Sequence, residues 1–246
     1  MVPGHEPILF DLGTGARYFG LQCGDEPFNG SCLVSHLHWD HVQGLPFFPP
    51  LLRPGNHVTI YAPIQEDGTP IEKVMRASLG PPMFPVELDD FPGRVTFHDK
   101  GDDTFMLGDV QVTSRLIPHL GNTLGFRLDV DGVSVAYLSD HQQPGIDVYE
   151  ATDNARELCD GVDLLIHDAQ FDRAEFARKA NWGHCTTEYA VWLATTSGAK
   201  RLALFHHDPS HGDDRIDEQL AAARAQAGSR VDVVAASEGL TIHLGP

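Results

Sequence analysis

Directly behind the apolar run Ser-Cys-Leu-Val the chain reads Ser-His-Leu-His-Trp-Asp-His, residues 35–41, so that three imidazoles and one carboxylate crowd the point where a buried strand ends. Histidine and carboxylate side chains keep their hydration unless something holds them. The cluster is therefore either a solvated turn or a ligand set carried at the tip of a strand. In extended backbone, residues two apart project to one side, which sets His36 and His38 where both can grip one ion. Asp40 and His41 follow on the turn into a helix predicted over Val-Gln-Gly-Leu-Pro-Phe-Phe and can face a second ion. Imidazole nitrogen and carboxylate oxygen are suitable ligands for Zn²⁺, and a catalytic site keeps one position open for water.

A second ligand set has to come from elsewhere, and the order of elements says where to look. Short β-rich runs, several alternating with period two, are predicted as strands: PILFDLG, SCLVS, HVTIYA, RVTFHD, DVQVTSRLIPH, TLGFRLDV and VSVAYLSD, then VDLLIHD, RLALFH, VDVVAAS and LTIHL. The later strands alternate with helices predicted over 147–159, 171–180, 186–196 and 214–227, and Asp-Val-Asp-Gly at 129–132 reads as a hairpin turn. A strand-rich first half and a strand–helix second half predict an α/β chain of two sheets packed together with helices outside. Three of these strands end in a candidate ligand: His119, Asp140 and His206, the last with His207 as a competitor. The length of 246 residues fits a single domain over 1–246, in which the proline-rich segment 63–93, with one short helix near 71–79, is a surface excursion or a lid or pocket wall.

Charge narrows the substrate. Seventeen Lys and Arg against 35 Asp and Glu give a net charge of −18, spread along the chain, which repels extended RNA or DNA and favours a small-molecule substrate. No apolar run reaches the ~18 residues of a membrane helix, the start lacks a secretory layout, and Cys23, Cys32, Cys159 and Cys185 form no CxxC pair. A cytoplasmic protein with reduced thiols and no membrane partner is the expectation.

The motif His-Leu-His-Trp-Asp-His with its distant His, Asp and His resembles the metallo-β-lactamase superfamily, whose signature is HxHxDH, and the resemblance spans nearly the whole chain. It implies an αββα four-layer sandwich of two packed mixed sheets. It also implies a dinuclear centre in which His36, His38 and His119 hold one ion, Asp40, His41 and His206 the other, and Asp140 bridges them. Pro118–Leu128 (PHLGNTLGFRL), Asp163–Phe171 (DLLIHDAQF, with Asp168 in place of the family's glutamate) and Gly183–Thr186 (GHCT) are similar to stretches of the ribonuclease Z and phosphodiesterase branch. That branch implies catalytic roles for Asp40, His184 and Asp168, with Asp168 orienting His184, and a homodimer is the family-level expectation. The basic arm with which ribonuclease Z grips transfer RNA has no counterpart in this acidic chain. Such folds also carry a first strand and hairpin ahead of Ile8, so a start downstream of the natural one is expected.

The implied chemistry is hydrolysis in which two divalent ions, Zn²⁺ or alternatively Mn²⁺ or Fe, activate water and polarise the oxygen under attack. Asp40 takes up or orients the water's proton, and His184 protonates the leaving oxygen. A phosphodiesterase acting on a small phosphodiester or nucleotide follows. The alternatives are a lactone, thioester or β-lactam hydrolase on the same ions, or a non-catalytic sensory or binding module. His141 is expected beside the ligands or in a structural role, His167 as a ligand-orienting or a buried structural residue, and His211 at the start of the last helix. Asp11 and Gly13–Gly15 are expected to shape a turn near the site.

Overall fold

The computed structural model describes Val2 and residues 4–245. The chain divides into two compact units, residues 1–101 and 102–246, each built on its own sheet.

In the first unit β1 (Ile8–Phe10), β2 (Asn29–Leu33), β3 (His57–Pro63) and β4 (Arg94–Lys100) pair in sequence order and all in parallel. Parallel neighbours require a crossover that carries the chain back. The three crossovers are built on α1 (Gly15–Gln22), on α2 (Trp39–Val42) with two 3-10 turns behind it, and on α3 (Ile71–Ser78). The period-two pattern of β3 holds: Val58, Ile60 and Ala62 are buried, while His57, Thr59 and Tyr61 are half-buried. The buried set joins Leu12, Leu45, Phe48, Leu51 and Met75 in one core. The sequence predicts no helix at α1, whose only buried residues are Ala16 and Gly20, so no apolar stripe marks it. The helix expected from Val42 onward instead starts earlier and is short, because Pro46, Pro49 and Pro50 cannot donate to a continuing helix.

The second unit mixes both strand senses. β5 (Asp103–Leu107), β6 (Val110–Ile117), β7 (Thr123–Val130) and β8 (Val133–Leu138) form an antiparallel meander. β9 (Leu164–Asp168), β10 (Arg201–Phe205) and β11 (Asp232–Ala235) then extend it in parallel, giving the order β11-β10-β9-β8-β7-β6-β5. The crossovers are α4 (Asp153–Cys159), then α5 (Arg173–Lys179) and α6 (Thr187–Thr196), then α7 (Asp213–Ala227). Asp131 and Gly132, at φ 51° and 77°, make the expected two-residue hairpin turn. Two antiparallel steps separate β6 from β8, so β6, β8, β9 and β10 point the same way and end at one edge of the sheet. Ligands of open α/β sheets gather at such carboxyl ends.

Three expectations are corrected. β5 is absent from the predicted strands, because its burial alternates only between exposed and half-buried and its sequence shows little contrast. Leu240–Leu244, predicted as a strand, pairs with nothing in either sheet. The helix predicted from 147 begins at Asp153, where the Thr152 side chain accepts the Ala155 N–H at 3.3 Å and so caps it.

Asp163 ties three strands of this sheet together where they start. Its carboxylate accepts Lys200 Nζ at 2.6 Å and the Ser134 N–H at 2.8 Å. Lys200 first, and then that N–H, hold the Asp163 carboxyl below the usual carboxylate range. A depressed folded pKa gives stability that is present above the unfolded value and is lost as pH falls. Asp163→Ala is therefore expected to cost about 1 kcal/mol at pH 7. Urea midpoints of the two proteins should converge as pH drops from about 4 towards 2.

Candidate metal centre

Beyond β2 the chain stays extended through His38, whose ψ of 150° precedes the first turn of α2. The HxH pair thereby faces one way and Asp40 and His41 fall on the helix. His36 Nε2 lies 2.8 Å from His38 Nδ1, the His36 and His41 rings are 4.2 Å apart, and His41 Nε2 lies 3.2 Å from Asp40 Oδ2. His36 and His41 are buried, whereas His38 and Asp40 are exposed.

Asp11, just past β1, organises this loop. Its Oδ1 accepts the Ser35 N–H at 2.6 Å, and its Oδ2 accepts Ser35 Oγ at 3.0 Å and His41 Nδ1 at 2.8 Å. Ser35 Oγ also meets His36 Nδ1 at 3.1 Å. With Nδ1 engaged on His36 and His41, each presents Nε2, the arrangement by which an outer partner fixes tautomer and aim in metal-binding histidines. The sequence reading gave Asp11 only a turn-shaping part. The missed signal is that Ile-Leu-Phe-Asp is one more apolar strand ending in a carboxylate, the pattern that marks Asp140.

Glycine makes the close approach of these segments feasible. A Cβ on Gly44 would stand 1.9 Å from the Gly13 carbonyl oxygen, where Leu12 N donates to His41 O (2.7 Å) and Gly44 N to Leu12 O (2.8 Å). Gly44→Ala must push α2 off the loop after β1. It is expected to cost about 1–3 kcal/mol in urea unfolding, an overpacking effect with no side-chain contact to relieve it.

In the second unit the ligand-type residues follow the sheet edge where β6, β8, β9 and β10 end. His119 lies two residues past β6, Asp140 two past β8, Asp168 closes β9, and His206 directly follows β10. His119 Nδ1 donates to the Gly183 carbonyl at 2.8 Å, and Gly183, at φ 97°, packs so tightly on that ring that a Cβ would meet it at 2.2 Å. His206 Nδ1 meets the Gln170 side-chain amide at 3.0 Å, and Ser139 Oγ donates to Asp140 Oδ2 at 2.5 Å. His206 Nε2 is 3.3 Å and His119 Nε2 3.8 Å from the Asp140 carboxylate. Asp140, His184 and His206 each place one ligand atom within 4.8 Å of the others. His207 joins no such group among the described residues.

His184 stacks on His206 with ring centroids 5.1 Å apart and gives Nδ1 to Asp168 Oδ2 at 2.7 Å. Asp168 is fully buried, and its Oδ1 also accepts the backbone N–H groups of Cys185 (3.0 Å) and Gln170 (3.2 Å). Behind it, His167 Nδ1 donates to the Asp168 carbonyl (2.7 Å), which leaves His167 Nε2 to accept from His141 Nδ1 (2.8 Å). Burial drives the pKa of both rings down, so they form a neutral structural pair. Burial and Asp168 push the Cys185 thiol well up, away from nucleophilic use. His211 stands one residue ahead of the N-cap Gly212 of the last helix and pairs with Glu175 at 2.8 Å.

The donor chemistry fits divalent ions. Imidazoles whose Nδ1 is held by carboxylate, carbonyl or amide turn Nε2 beside a carboxylate, His41 in the first unit and His119 and His206 in the second, and such groups could hold a metal ion.

A family model described as the β-lactamase superfamily domain matches residues 30–207. A ribonuclease Z from Exiguobacterium is 29% identical over 80% of this chain and 78% of its own length. Among solved structures, the metallo-β-lactamase fold protein YhfI from Bacillus subtilis superposes with a TM-score of 0.70 at 18% identity, covering 96% of this chain and 86% of that one. The human short-form tRNase Z does so with a TM-score of 0.59 at 26% identity, covering 85% of each.

Proposed function

We propose, for a chain that belongs to the metallo-β-lactamase superfamily and is one of its hydrolases, that the reaction is hydrolysis of a small phosphodiester or nucleotide at a dinuclear centre. In this reading His36, His38 and His119 would hold one ion, Asp40, His41 and His206 the other, and Asp140 would serve both. Bound there, a pair of divalent ions, zinc or alternatively manganese or iron, would activate water and polarise the phosphoryl oxygen. Asp40 orients the water's proton. His184 carries a proton on Nε2 to the leaving oxygen while Asp168 keeps Nδ1–H in place.

The observation that carries the phosphodiester reading is the buried Asp168–His184 contact of 2.7 Å beside Asp140 and His206. Thioester opening has less need of a dedicated acid, because a thiolate departs without a proton. The Exiguobacterium relative is named for a ribonuclease, yet extended RNA suits this chain poorly. Of its 17 cationic residues, at least Arg53, Arg76, Arg115, Arg127, Arg173, Lys179, Lys200, Arg201 and Arg215 are engaged by carboxylates. Four free cysteines suit a reducing cytoplasm, and no helix among the described residues is long and apolar enough to cross a membrane.

The test is metal analysis of the purified protein together with assays on bis(p-nitrophenyl) phosphate, a β-lactam and a thioester, before and after chelation. About two ions per chain, with phosphodiester turnover that chelator abolishes and added metal restores, is the expected result. Turnover confined to the lactam or thioester would overturn the phosphodiesterase assignment.

A further inference from the structure

The first unit holds a cavity of about 360 Å³ that opens beside the HxHxDH loop, and the metal ligands do not account for it. Trp39, between His38 and Asp40, lines it while 69% exposed, and Phe47 does so at 54%. Large exposed aromatics gathered in one concavity mark a binding surface more than a stability device. Phe84, from the loop after α3, meets Phe47 edge to face with centroids 5.9 Å apart and closes the opposite wall.

Beside the short Thr14 and Ser78, two longer polar side chains interrupt this apolar lining, and both are uncommitted. Arg17 on α1 has no ion pair among the described residues, in a chain of net charge −18 in which at least nine of the other sixteen cations are matched. Gln43, at the end of α2, offers an amide with one donating and one accepting end and no side-chain partner among the described residues. Aromatic walls, a hydrogen-bonding edge and one cation within a space of this size suit a planar, polar-edged ring attached to an anion.

We propose that this groove binds the nucleobase of a nucleotide substrate, stacking it against Trp39 and Phe47 and reading its edge with Gln43, while Arg17 draws in the anionic ligand. The assignment rests on the phosphodiesterase reading above and gives its substrate class. It also gives the segment 63–93 its part, since Phe84 and α3 form the far wall.

The test measures binding of adenosine 5′-monophosphate, ribose 5-phosphate and n-octyl phosphate to the metal-loaded protein by calorimetry. The expected result is adenosine monophosphate binding roughly tenfold or more tightly than ribose 5-phosphate, the order of effect that one stacked base supplies. Trp39→Ala should remove that preference. So should Ser78→Trp, which fills the groove from the exposed face of α3, while ribose 5-phosphate affinity changes little in both. Equal affinities, no binding of adenosine monophosphate, or a preference that survives both substitutions would overturn the proposal even if phosphodiesters are hydrolysed. Tightest binding of octyl phosphate would reassign the groove to an aliphatic chain and overturn it as well. A base-dependent preference in a protein that turns over no phosphodiester keeps the groove and removes the reaction, so the two failures are distinguishable.

Discussion

His184→Ala is expected to lower kcat by about 10²–10⁴-fold on a phosphodiester with an alkoxide leaving group. On a p-nitrophenyl ester the loss should stay below about tenfold, because nitrophenolate departs without a proton and the acid has little left to contribute. The difference follows from the proposed role of the ring: Nδ1 is committed to Asp168 at 2.7 Å, which leaves Nε2 for the proton transfer. Metal content separates this role from a second one that the geometry also permits. The ligand atom of His184 lies within 4.8 Å of those of Asp140 and His206, and loss of an ion in the alanine variant would make His184 a ligand. Equal losses on both leaving groups with metal retained would reduce it to a positioning residue. Asp168→Asn keeps an oxygen for the Cys185 and Gln170 N–H groups, removes the charge behind His184 and turns an amide nitrogen towards its Nδ1, so that the ring is no longer held with Nδ1–H. It should reproduce the leaving-group dependence in weaker form.

The residues proposed as ligands, His184 apart, could be picked out in the sequence because they cluster where apolar runs stop. A strand announces itself by alternation, and a polar residue at its carboxyl end breaks the pattern visibly. Backbone conformation explains part of why those positions serve. Asp11, Asp140 and His206, at φ 58°, 55° and 56°, share the left-handed region just beyond β1, β8 and β10. A non-glycine residue there costs roughly 1–2 kcal/mol, which the surrounding hydrogen bonds must outweigh. The sequence carries no mark of that conformation. Nor does it show the partners that aim the imidazoles, since Asp11 reaches His41 across 30 residues and Gln170 reaches His206 across 36. Elements that bury little were also invisible, as α1 and β5 show. Leu240–Leu244 errs in the other direction: alternation without a neighbouring strand to pair with does not make a strand.

Asp11→Ala should be among the most damaging single changes in the first unit, although Asp11 is assigned to no ion. Its carboxylate is 8% exposed as part of a buried residue and accepts from the Ser35 N–H, Ser35 Oγ and His41 Nδ1. Alanine removes the acceptor these three donors share, leaves the buried Ser35 N–H without its carboxylate partner and places a Cβ-bearing residue with no compensating hydrogen bond at φ 58°. A loss of about 3–5 kcal/mol in urea or thermal unfolding is expected, a large share of the ~5–15 kcal/mol typical of a domain. Asp11→Asn distinguishes stability from ligand orientation. Asparagine tolerates the left-handed conformation, and its oxygen can still accept the Ser35 N–H, so the fold should lose little. Its amide nitrogen, however, now donates towards His41 Nδ1 and shifts the imidazole proton to Nε2, the nitrogen that a metal would need. Metal affinity should then fall about 10–100-fold while the unfolding midpoint moves only slightly. If the asparagine variant holds its ions as tightly as the parent, Asp11 does not set the His41 tautomer, and its place in the fold is that of a structural clamp on Ser35.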